Sequence, residues 1–125
     1  MEFVEQKDNT VWVRWGKYEE EDDKERVYLV KNNDRLCGKI IDMIDGKTYP
    51  EQKIITMEII DDDGDETGKQ VKFSTKSRLK TELGLNPKIP RQYKAGIGST
   101  VCITYRGRSK DIEGNPHIFE VQFAK

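Results

Sequence analysis

A chain of 125 residues has the size of one ordinary domain, long enough to bury a core and too short to divide comfortably into two. Apolar residues counted with glycine make up about 38% of it, below the roughly 45–50% usual for globular chains, so a polar segment is expected; 20 Val and Ile against 7 Ala and Leu disfavour a helical bundle and favour strands. The net charge of −1 conceals a division, with 10 Lys and Arg against 17 Asp and Glu in residues 1–63 and 12 against 6 in residues 64–125, so near-neutrality does not exclude a basic face.

Residues 1–35 are charged and poor in aliphatic core formers. The acidic run Glu19-Glu20-Glu21-Asp22-Asp23 repels itself and cannot pack, so this stretch is expected to be an acidic N-terminal extension with a mobile middle. Within it VWVRW (11–15) alternates with a period of two and predicts a short strand that anchors the extension, and VYLV (27–30) predicts another. Trp12 and Trp15 lie three apart, one expected to anchor and the other to be exposed.

From residue 36 to the C-terminus short Ile- and Val-rich runs alternate with turn signals, and this part is expected to form the main domain. LCGKIIDMID (36–45) is the first strand, with Gly38 inside it at a position suited to a sharp bend or bulge. After a turn at 45–50 comes QKIITMEIID (52–61), then a tight acidic turn, then KQVKFS (69–74). The period then changes. In STKSRLKTELG (74–84), Leu79 and Leu83 fall four apart, Arg78 and Glu82 are spaced to pair, Ser74 or Thr75 can cap, and Gly84 can close, which predicts one short helix. Residues 85–98 have two Pro and no period and predict a loop. STVCITYRGR (99–108), with Val101, Ile103 and Tyr105 inward, and HIFEVQF (117–123) complete the set.

Three strands, a short helix and two strands is the order of the OB fold, a five-stranded, partly open Greek-key barrel with its helix between strands three and four. The expected architecture is therefore a mainly β OB barrel at 36–125 behind the extension at 1–35. The residues also carry a family resemblance. WVRWGKY (12–18), the glycine of LCGKI (36–40), the Ile-rich strand followed by DDDG (61–64), and GSTVCITYRGRSKDIEGNPHIFEVQF (98–123) together resemble small single-stranded DNA-binding proteins encoded by bacteriophages. The resemblance implies a non-enzymatic role in DNA replication or recombination, with single-stranded DNA and replication or recombination proteins as partners. Many such proteins end in an acidic tail that recruits partners. Here Phe123-Ala124-Lys125 follows the last strand directly.

An OB barrel grips nucleic acid on its second and third strands and on the loops joining strands one to two and four to five. The first loop offers Lys47, Tyr49 and Lys53, the second Arg106, Arg108 and Lys110, and the strand between them Lys72; Trp12, Trp15 and the Tyr105 hydroxyl complete the predicted contact set. Lys and Arg neutralise phosphates, and exposed rings offer stacking worth roughly 1–3 kcal/mol per base. Phe73 is expected in the core.

Catalytic and metal chemistry find little support. Cys37 and Cys102 stand 65 positions apart without metal-ligand spacing and are expected to be free buried thiols, and a single His117 leaves no His-based triad within the chain. Asp61, Asp63 and Asp65 match alternate positions of a calcium loop, but Glu66 stands where glycine is needed and Lys72 where the bidentate Glu belongs. The AGIGS segment (95–99) precedes a strand, so it is not a phosphate loop. No cofactor is expected. The competing reading is an adaptor or inhibitor on the same barrel that uses the acidic extension; a small nuclease is a distant third. With no apolar run near the ~20 residues that cross a bilayer and no signal-like N-terminus, a cytoplasmic protein is expected, in the host cell if a phage encodes it. Self-association is left open.

Overall fold

The computed structural model describes residues 2–3, 10–16, 27–114 and 116–124. Among the described residues seven strands and one helix of six residues follow one another as β1 (Val11–Trp15), β2 (Val27–Val30), β3 (Arg35–Asp45), β4 (Lys53–Ile60), β5 (Glu66–Ser74), α1 (Ser77–Glu82), β6 (Thr100–Arg108) and β7 (His117–Phe123). The period-two runs thus form strands, and the single change of period marks the helix.

All seven strands belong to one mixed sheet in the order β2-β1-β5-β4-β3-β6-β7. The meander β3-β4-β5 and the β6–β7 hairpin are antiparallel, β6 lies antiparallel to β3, and β1 runs parallel to both β2 and β5. The sheet curls into a half-barrel. Trp15 of β1 meets Phe119 of β7 with ring centroids 4.9 Å apart, although five places separate these strands in the sheet order. The two N-terminal segments predicted as anchoring strands are therefore full members of the sheet, with Val13 and Val30 in the core. The acidic run 19–23 lies outside the described residues.

Alternation decides what is buried. Ile55, Met57 and Ile59 of β4, Val71 and Phe73 of β5, and Val101, Ile103 and Tyr105 of β6 all point inward, joined by Leu36, Ile40 and Phe119. Leu79 and Leu83 turn one face of α1 into the same core, and α1 packs against β7. Burying such side chains contributes roughly 1.5–3 kcal/mol each against the entropy of ordering the chain.

Several local expectations are replaced. Gly38 lies in regular pairing with Ile59, and the bulge falls at Ile40/Asp42 instead. The glycine is needed for closeness: a Cβ there would stand 2.4 Å from the Glu58 carbonyl oxygen. The N-cap position of α1 is Lys76, with no side-chain cap, and the Thr75 hydroxyl is instead engaged by the neighbouring strand, accepting the Lys53 N–H at 2.9 Å. Glu82 pairs with Arg91 at 3.0 Å and not with Arg78. Cys37 and Cys102 are not free thiols: they are register partners on β3 and β6 and form a disulfide. Adjacent antiparallel strands bring directly opposed side chains together, a closeness that spacing along the chain does not encode.

Candidate nucleic-acid interface

The pleat that buries Val71 and Phe73 turns Lys72 to the outer surface, and register then sets what stands beside it. Across four strands the outward row reads Trp12 (β1), Lys72 (β5), Thr56 (β4) and Asp42 (β3). At about 4.8 Å per strand this row is ~14 Å long. The next outward row consists of Ser74, Ile54 and Ile44. Ile44 is 52% exposed and Trp12 is 44% exposed, so the outer face of β1-β5-β4-β3 carries apolar and aromatic surface that the core does not use.

Trp12 is held in place. The Lys72 ammonium lies 5.0 Å from the centre of its ring, within the range in which a cation is attracted to the face of an indole. The ammonium lies over one face of the indole, so a base would stack on the ring's other face with the charge close by for its phosphate. On the other flank of Lys72 the surface turns polar, with the row Gln70, Glu58 and Lys39. Partial burial raises the Glu58 carboxyl above its ordinary value, the nearby Glu66 carboxylate raises it further, and Lys39 opposes both.

The β3–β4 connection continues the face beyond Ile44 and Ile54. Tyr49 is 57% exposed there and Lys47 is exposed, while Lys53 forms an ion pair with Asp45 across the base of the hairpin. Lys53 is therefore a partly neutralised cation.

Other predicted contacts sit elsewhere. Trp15 is the anchoring tryptophan, partly buried and packed onto the core against Phe73, Tyr105 and Phe119. Tyr105 is buried, and its hydroxyl, expected to be available at the barrel mouth, is hydrogen-bonded to His117 Nδ1 at 2.5 Å. These two rings support the wall from inside and cannot serve as platforms. Gly16 makes room for them: with φ of +76° it passes over Tyr105 so closely that a Cβ would lie 2.7 Å from the hydroxyl oxygen. Arg106 is committed to Asn33 and Glu120, each at 3.0 Å. Arg108 and Lys110 are exposed near the β6–β7 turn, and β4 and β3 stand between their strand and Lys72 in the sheet.

The predicted cations thus fall into two groups, one on the outer face and one at the β6–β7 turn. His117 lies opposite Arg108 in the ladder and within electrostatic range of Lys76, which follows the Thr75 bound to Lys53. Burial lowers the His117 pKa, and the positive charges of Arg108 and Lys76 lower it further. Sequence reasoning missed Ile44, Ile54 and Thr56, although placing Ile55 and Met57 inward turns Ile54 and Thr56 outward. Asp61 organises the β4–β5 turn by accepting the N–H groups of Asp63 and Asp65. Among the described residues no group of His, Cys, Asp and Glu side chains is arranged to hold a metal ion, and no helix is long and apolar enough to cross a membrane. No protein family, no curated protein and no solved structure matches the chain.

Proposed function

We propose that the protein is a non-enzymatic single-stranded DNA-binding protein that grips its ligand on the outer face of β1, β5, β4 and β3. The observation that carries this reading is the exposed Trp12 with the Lys72 ammonium over its ring. A base stacks on Trp12, its phosphate is neutralised by Lys72, and Ile54, Ile44 and Tyr49 give the following sugars and bases an apolar path toward Lys47. Such contacts read the backbone and the flat faces of bases, which all nucleotides share, so binding has little sequence preference. The order β5-β4-β3-β6-β7, with a helix between β5 and β6, supports an OB-type barrel that β1 and β2 extend. On this reading the protein acts where unpaired strands are exposed, in replication or recombination of a phage genome.

The test uses the two tryptophans. Oligothymidine should quench Trp12 fluorescence at low salt, and binding should weaken as salt rises. Trp12→Ala should abolish the quenching and lower affinity by about 5- to 150-fold, corresponding to one stacked base, while the partly buried Trp15, packed against the core, keeps reporting the fold. Equal affinity and equal quenching in the variant would exclude this face.

A further inference from the structure

A half-open cleft of about 330 Å³ lies between the loop that leads into β6 and the end of β7. It is lined by Tyr93, Lys94, Ser99, Thr100 and Phe123, with Gly98 and Ala124. Its size is at the small end of ligand pockets, which span about 300–1,000 Å³.

The lining has a definite chemistry. Tyr93 and Phe123 stand with ring centroids 5.6 Å apart and planes 30° from one another, and half of Tyr93 is open to solvent. The backbone here is fixed: Gly98 donates its N–H to the Ile40 carbonyl, Ser99 to Gly96, and Ala124 to Thr100. The loop is tied to the helix end as well, the Ala95 N–H donating to the Leu83 carbonyl, with Ala95 itself in the core. Tyr93 is therefore carried on an ordered loop and costs little to immobilise. Lys94 is exposed and has no ion-pair partner among the described residues, unlike Lys53 or Arg106, so its charge is available to a ligand.

We propose that this cavity binds a nucleoside monophosphate unit, either free or as the phosphorylated end of a strand. The base lies against Tyr93 beside Phe123, the phosphate meets the Lys94 ammonium, and the Ser99 hydroxyl, which accepts the Gly96 N–H at 3.1 Å, keeps its own proton to donate to the sugar. An uncharged flat molecule lacks the partner for Lys94, and inorganic phosphate lacks the ring for Tyr93. Trp12 is not among the lining residues, so the two sites use different side chains and can be tested apart.

Thymidine monophosphate added to the ¹⁵N-labelled full chain should shift amide signals clustered at 93–100 and 123–124. Thymidine should bind about tenfold more weakly, and Lys94→Gln should cost the monophosphate a similar factor. Tyr93→Ser should remove binding, whereas Trp12→Ala should leave it intact. A 5′-phosphorylated oligothymidine that shifts the same amides more strongly than its unphosphorylated twin identifies a strand end as the source; equal effects identify the free nucleotide. No clustered shifts at about 10 mM monophosphate, or equal binding of thymidine, overturns the proposal. The outer-face reading stands or falls separately, on quenching of Trp12.

Discussion

Removing the Cys37–Cys102 cross-link should destabilise the protein strongly while leaving its fold intact. The bond closes a segment with a sequence separation of 65. In the chain-entropy account a loop of this size restricts the unfolded chain by about 14 cal/mol/K, or about 4 kcal/mol at 25 °C. Unfolding a chain of 125 residues carries an entropy near 0.26 kcal/mol/K, at ~2.1 cal/mol/K per residue, so the loss corresponds to a fall of about 15 °C in Tm. The assay is scanning calorimetry of the wild-type chain with and without reductant beside the Cys37→Ala/Cys102→Ala double variant. Reduced wild type and double variant should melt together, and only the wild type should respond to reductant. Alkylation of both cysteines in the native, unreduced protein would refute the pairing. A Tm change below about 3 °C on reduction would refute the entropy argument even with the bond present.

Lys72→Gln should reduce the slope of log K against log salt for oligothymidine by about 0.7, one phosphate contact on a single strand, as read from titrations at several salt concentrations. His117 gives a pH dependence of known sign: its folded-state pKa lies below the ordinary 6.5, so the unfolded chain takes up the proton first. Its contribution is complete above 6.5 and declines as pH falls from there through the folded value, so the urea midpoint should drop on acidification, and His117→Gln should flatten that drop. Gly16→Ala should cost roughly 1–3 kcal/mol, from the positive φ and the contact with Tyr105, measured as a lower urea midpoint at unchanged slope.

Period and turn chemistry made the strands legible, because alternation survives whenever one face of a sheet is buried. The inward sets of β4, β5 and β6 could be read from Ile55, Met57, Val71, Phe73 and Ile103, and the helix from Leu79 and Leu83. Relations between distant segments were not legible. Nothing local says that Val11 and Trp12 lie beside Val71 and Lys72, or that Cys37 faces Cys102; both follow from the register of the finished sheet. The same limit applied to the candidate site. Lys72 could be read as outward, but its companion Trp12 comes from 60 positions away, and the partners that neutralise Lys53 and Arg106 emerge only from pairing. Thr75 was read as a cap because local rules see helices, whereas its hydroxyl answers to Lys53 on a neighbouring strand.

The parallel seat of β1 beside β5 has a consequence for how the molecule comes into being. A ribosome delivers Val11–Trp15 first, yet the strand that receives them is completed only at Ser74, so the earliest segment must wait for a dock made much later. Closing so wide a loop is entropically slow, and until it closes Val13 and Trp15 have no interior to enter. A half-made chain therefore lacks the indole–ammonium pair altogether, and the outer face takes its form only once β5 is complete.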